Sequence, residues 1–230
     1  MTLGMMVTLV MPLLLSWTEA APAAALPYHI DPEKTLFAVV THPAGVFAWL
    51  GHRHLISAAS YTAELRVDEG DLGNSSFQVT IPVAALAIDA PAVSAAVLPR
   101  LRAFGVLDEQ PQLSVDDVAT IRERMDSPAQ LDAGRAPLIE ARVTALHAVP
   151  LVFAGRDFTG SVELALTLHQ HTVTRIIPAT IRHGNGHMTA IAMGVFRFTE
   201  FGIQPFQTAF GLLQNADDFY LYAELAAHAP

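Results

Sequence analysis

Along most of this chain apolar and polar residues alternate with a period of two, the spacing at which successive side chains of a strand point to opposite faces. Tyr61, Ala63, Leu65 and Val67 fall on one face, with Thr62, Glu64 and Arg66 on the other. Phe77, Val79, Ile81 and Val83 repeat the pattern against Gln78, Thr80 and Pro82, and Ile139, Ala141 and Val143 against Glu140, Arg142 and Thr144. Val162, Leu164, Leu166 and Leu168 form another series, Ile191, Met193 and Val195 the next, and a last strand is predicted over residues 219–225. Turn-forming clusters at residues 68–74, 155–157 and 183–186 punctuate them. Over residues 94–125 the period lengthens. Val97, Leu98 and Leu101 stand a helical turn apart, and Ser114 ahead of Asp116 and Asp117 marks a helix start running to Met125. Antiparallel strands with short turns and one helical excursion predict an all-β barrel or sandwich in a single domain.

The first segment reads as an address. Residues 3–15 are an apolar run too short to span a bilayer, and residues 16–25 offer small side chains for signal-peptidase cleavage, Thr18 with Ala20 or Ala23 with Ala25. No Lys or Arg precedes the run, so its positive end is the amino terminus alone. The expectation is a signal peptide at residues 1–25 and a mature domain at residues 26–230, periplasmic or secreted.

Composition narrows the function. Of 230 residues 52% are apolar and 15% charged, against roughly 25% charged in an average soluble domain, which excludes a disordered chain or a coiled coil. The net charge of −9 repels a nucleic-acid duplex. Cysteine is absent, which excludes disulfides, cysteine-ligated zinc and thiol catalysis. A closed sheet of about eight strands is just wide enough for its own side chains or one slim ligand. Ala59, Ala63, Ala141, Ala145, Ala165 and Ala190 fall in strand-like segments and leave room for an interior slot without requiring one.

The histidines carry the candidate chemistry. His52-Arg53-His54 and His169-Gln170-His171 are both H-x-H pairs, and on a strand residues i and i+2 share a face. Facing strands would let His52, His54, His169 and His171 hold zinc, copper or nickel. A cupin-type site is excluded because residues 55–62 contain no acid. The alternatives are turn histidines bonded to backbone, or a neutral imidazole meeting a ligand head group. No nucleophile elbow, metalloprotease helix, phosphate loop or dinucleotide fingerprint occurs, and nothing argues for an enzyme. Asp116-Asp117 and Asp217-Asp218 read as solvated acids, since neighbours on a strand diverge.

Several segments, in order, resemble the YceI-like polyisoprenoid-binding family of the bacterial periplasm. Tyr28-His29-Ile30-Asp31-Pro32 is similar to its opening Y-x-I-D-P, and residues 36–42 stand where its first long strand lies. Ile121, Met125, Leu131, Pro137 and Ile139 resemble its passage from helix back to sheet. Leu166-Thr167-Leu168-His169, Thr172 and Pro178 are similar to its L-T-L-x-G-x-T hairpin, and Phe201-Gly202-Ile203 with Pro205 to its D-F-G-I turn. Gly51-His52-Arg53-His54 resembles a subgroup with G-H-x-H, while Gln170 stands where glycine is usual and Glu200 where aspartate is usual.

The resemblance implies a lipocalin-like antiparallel barrel of about eight strands with an apolar interior. It would hold an isoprenoid chain, with a quinone as one candidate, for transport or storage, with no other cofactor and with transient contact to a membrane surface. Phe37, Val39, Trp49, Leu50, Phe196, Phe198 and Phe206 are the expected pocket residues, with His52 and His54 near the mouth. The rival reading is a histidine-based metal or redox-partner module.

Overall fold

A computed structural model describes residues 25–208 and 212–230. The leader expected over residues 1–25 lies, but for Ala25, outside the described residues. Chain order gives β1 (Leu26–Ile30), β2 (Leu36–Thr41), β3 (Pro43–Ala44), β4 (His54–Ala58), β5 (Thr62–Val67), β6 (Ser76–Pro82) and β7 (Leu86–Ile88). Two α-helices follow, α1 (Pro91–Ala103) and α2 (Val115–Asp126). The chain then returns to sheet with β8 (Leu138–His147), β9 (Leu151–Phe153), β10 (Arg156–Phe158), β11 (Gly160–Leu168), β12 (His171–Gly184) and β13 (His187–Arg197). It ends with β14 (Gln207–Thr208), β15 (Leu213–Asn215) and β16 (Asp218–His228).

Eight strands close a barrel in the order β1-β5-β6-β8-β11-β12-β13-β16 and back to β1, all antiparallel. Closure leaves the ring without an open edge. β16 does double duty on its other edge: Tyr220–Glu224 pair with β2, while Ala227 and His228 pair with β1. The chain bends between β1 and β2, where Asp31 donates its N–H to Ala226 O at 2.9 Å. β4 and β7 then extend from β2 as a side arm. A bulge sits between β8 and β11, where the register shifts between Glu163 and Leu164.

The alternation read from the sequence is the inside–outside pattern of this wall. Val162, Leu164, Leu166 and Leu168 are all buried, as are Leu65, Val67, Val79 and Ile81. The Ile191, Met193 and Val195 series needs a correction in meaning. Met193 and Ile191 pack with Val97, Leu101 and Tyr222, outside the barrel and beneath α1, while Ala192 and Phe196 pack with the interior cluster. β13 and β16 are apolar on both faces because α1 covers them.

The helical excursion is two helices, with residues 104–114 non-helical between them. α1 opens on Pro91, whose missing N–H costs nothing at a first turn. α2 opens on a capping box: Ser114 Oγ accepts from Asp117 N–H at 3.1 Å, and Asp117 accepts from Ser114 N–H at 3.0 Å. The Ser114 hydroxyl also donates to Asp117 Oδ2 at 2.7 Å, and this bond, with the smaller one from Ser114 N–H, holds the Asp117 carboxyl below the usual carboxylate range. Arg122 ties α2 to the barrel rim through the carbonyls of Val83 and Leu86.

The two ends of the barrel differ. One is filled by Tyr28, Leu65, Val67, Met188, Leu225 and Ala227. Phe37 and Phe77 lie against that plug, their rings 6.0 Å apart. Beyond them the barrel is hollow.

Candidate functional site

The hollow has a volume of about 640 Å³, within the range of roughly 300–1,000 Å³ typical of small-molecule sites. Its walls come from inward positions of β6, β8, β11 and β16: Val79, Ile81, Ile139, Ala141, Leu164, Leu166, Phe219 and Leu221. Phe37 and Phe77 form its floor against the plug. One side is closed by α2, whose Ile121 and Met125 face it. Polar groups are few. Thr41, His52, His54, Asp117, Arg124, Gln130, Gln214, Asn215 and Tyr222 border a space otherwise walled by apolar residues. The Arg124 guanidinium lies over the Phe206 ring, 4.9 Å from its centroid, and keeps its charge at the edge of the cavity.

Phe37, Val39, Leu50, His52, His54, Phe198 and Phe206 all line this cavity. Trp49 and Phe196 do not. Trp49 sits in a single turn at Ala48–Leu50 and is 76% exposed. An indole there stands outside the mouth because Leu50 and Gly51 take the inner positions. Phe196 is fully buried in the layer filled by Phe201 and Phe219, with the Arg175 guanidinium 4.9 Å over its ring. Neighbouring side chains occupy all the space it faces.

On one side the cavity meets solvent at an uncharged lip, residues 43–51, and on the α2 side at the exposed Asp117 and Arg124. Phe47 N–H donates to Leu212 O at 2.9 Å, and Gly51 N–H to Ala48 O at 3.1 Å, which fixes the turn that presents Val46 and Trp49 outward. Gly51 must be a glycine for steric reasons: a Cβ there would lie 2.6 Å from Pro43 Cβ. Pro43, Leu50, Gly51, His52, Leu213 and Gln214 line the cavity beside this turn.

The four histidines do not assemble. Among the described residues no group of three or more His, Asp or Glu side chains could hold a metal ion. His169 and Gln170 have φ of 51° and 63°, so they form a two-residue hairpin turn and leave the strand geometry that the H-x-H argument assumed. His169 Nδ1 bonds Phe201 O at 3.1 Å and His171 Nδ1 bonds His169 O at 2.8 Å. Gln170, where glycine is usual, takes the left-handed conformation and bonds Arg135 O. Glu200, where aspartate is usual, still caps its turn by accepting from Arg197 N–H at 2.8 Å.

His54 is different. It lies at the start of β4 with its side chain 19% exposed, and its Nδ1 is 2.7 Å from Asp89 Oδ2. Asp89 is 3% exposed and was not among the residues the sequence singled out. Its position, an acid directly after Ile88 at a strand end and two residues before Pro91, was the available signal.

A family model of the YceI-like domain matches residues 28–227. Among solved structures, BcnA of Burkholderia cenocepacia aligns with a TM-score of 0.57 at 14% identity, covering 86% of this chain and 99% of that one. A polyisoprenoid binding domain from Saccharophagus degradans, implicated in plant cell wall breakdown, aligns at 0.50 and 8% identity, covering 90% and 99%. A mutant of the Campylobacter jejuni YCEI protein aligns at 0.50 and 14%, covering 76% and 84%. A search of curated proteins finds no match. At these identities the solved structures speak to the shared barrel, and the family model speaks to ancestry: this chain belongs to the YceI-like family.

Proposed function

We propose that this protein is a carrier that holds an isoprenoid lipid in the hollow end of its barrel and works outside the cytoplasm. The observation that carries this is the cavity of about 640 Å³, walled by aliphatic and aromatic side chains and closed at its far end by the plug. An apolar void of this size is costly to leave open, because its lining forgoes contacts that a guest would restore. Burial gains roughly 25 cal/mol per Å², so each five-carbon unit adds a few kcal/mol before entropy costs. The polyisoprenoid binding named for the Saccharophagus degradans neighbour supports an isoprenoid over other lipids. The apolar run at residues 3–15 followed by small side chains to Ala25, a signal-peptide pattern in the sequence, supports export, and an isoprenoid quinone is one candidate guest.

The exposed lip supports exchange with a lipid surface. Val46 is 74% and Trp49 76% exposed beside an opening whose border carries no Lys, Arg, Asp or Glu over residues 43–51. An indole on such a lip suits the interface between water and acyl chains.

The test is organic extraction of protein purified from its native host, followed by mass spectrometry. An isoprenoid lipid near one equivalent is the expected result. Repeatedly empty extracts, together with no uptake of added prenyl lipid, would overturn the reading.

A further inference from the structure

We propose that His54 and Asp89 recognise the guest's head, and that this head carries a hydroxyl group; the inference rests on the cavity being a lipid site. The pair is built with care. Asp89 Oδ2 takes the His54 Nδ1 bond at 2.7 Å, and Asp89 Oδ1 accepts from Leu55 N–H at 2.8 Å. Asp89 N–H donates to Leu55 O at 2.8 Å, and Gln110 Nε2 donates to Asp89 O at 3.1 Å. All four bonds lock one carboxylate behind one cavity histidine.

Asp89 also holds a φ of 45°, in the left-handed region that most residues other than glycine, asparagine and aspartate avoid. Asparagine tolerates that region as well and could equally satisfy Leu55 N–H through its carbonyl oxygen. What a carboxylate supplies and an amide does not is an acceptor with no donor of its own. It forces the proton of a neutral imidazole onto Nδ1, which leaves the Nε2 lone pair to meet whatever enters, and it makes that nitrogen a stronger acceptor. The surrounding wall is apolar, so a single hydrogen bond there counts for more than in water.

The required complement is an O–H on a long apolar tail. A prenyl alcohol supplies it, and so does a prenyl hydroquinone. An ether offers no donor, and an oxidised quinone presents only carbonyl oxygens. The site therefore distinguishes the two redox forms of a quinone by hydrogen-bond polarity, with no electron transfer involved. Asp89 acts here as a positioning residue for His54.

The experiment measures affinity of the full chain for geranylgeraniol, its methyl ether, geranylgeranyl phosphate, and a prenyl hydroquinone with its quinone. The alcohol is expected to bind about tenfold or more tightly than the ether, and the hydroquinone than the quinone. The tighter donor identifies the natural class. His54→Leu should bring the alcohol and the ether to the same affinity. Asp89→Asn keeps an acceptor for Leu55 N–H and should erase the alcohol-to-ether ratio, with the His54 imidazole nitrogens shifting in NMR to the other tautomer. Equal binding of alcohol and ether in the unaltered protein overturns the inference while leaving the carrier intact. Tighter binding of the phosphate than of the alcohol, or a ratio that survives in His54→Leu, also overturns it. If neither alcohol nor ether binds, the carrier reading falls and takes this inference with it.

Discussion

The chain writes the pattern H-x-H twice, and the two copies meet opposite fates. His52 and His54 lead into β4 at the cavity mouth, where both border the hollow and His54 is backed by a buried carboxylate. His169 and His171 occupy the tip of the β11–β12 hairpin, where each spends its Nδ1 on a backbone carbonyl and the rings stack 5.9 Å apart. The residue spacing is identical. What differs is the backbone: the second copy spans a turn with two consecutive positive φ angles, and a turn does not keep residues i and i+2 on one face. A histidine pair thus gains a chemical role from what stands behind it.

The largest separation between the two copies should come from removing that backing. Asp89→Ala strips the acceptor from Leu55 N–H and from His54 Nδ1 within a buried site, and should destabilise the fold by about 2–4 kcal/mol in a denaturant titration. His171→Ala, at the exposed tip, should cost under about 1 kcal/mol and leave lipid content unchanged.

A smaller effect of opposite sign belongs to the hairpin. Gln170 sits at a φ of 63°, so Gln170→Gly should stabilise the protein by up to about 1 kcal/mol, read as a raised melting temperature. The same replacement should not touch cargo. A change in extracted lipid would show that the two copies are coupled after all.

The mouth sharpens the comparison kinetically. Val46→Ser with Trp49→Ser leaves the described cavity walls in place and should slow lipid uptake from vesicles several-fold without lowering the amount held at saturation. No such change should follow substitution at the hairpin.

The smallest expected effect is in acid. The Asp117 carboxyl is depressed in the folded state by Ser114, so its contribution to capping α2 is complete above the ordinary carboxylate range and fades as pH falls through the depressed value. A gradual loss of helical circular dichroism below about pH 4 is expected, abolished in Asp117→Asn. Because α2 closes one side of the cavity, lipid release should follow the same curve.

Much of the wall was legible. Val162, Leu164, Leu166 and Leu168 alternate strictly and are all buried, and Ser114 with Asp117 marked the start of α2 to the residue. Phe37, Val39, Leu50 and Phe206 were legible as cavity residues through resemblance. Trp49 and Phe196 were not separable from them, because an aromatic side chain looks the same in sequence whether it fills space, borders space or faces water. Met193 illustrates the same limit: its alternation was read, but not that its face lies under α1.

Sequence alone determined the period of the strands over residues 61–67, 77–83, 139–144 and 162–168, the start of α2, the turn clusters and the absence of cysteine chemistry, since all of these depend on residue types or on residues within a few positions of one another. Tertiary structure decided that one end of the barrel is plugged and the other hollow, that Trp49 stands outside the mouth, and that Asp89 meets His54. Those facts depend on pairings between residues far apart in the chain, such as Ile56 with Ile88 in the β4–β7 ladder, which carries Asp89 to its place beside His54, 35 positions away. A local pattern fixes which way a side chain points from its own backbone. Only the closed register of the sheet fixes what it points at.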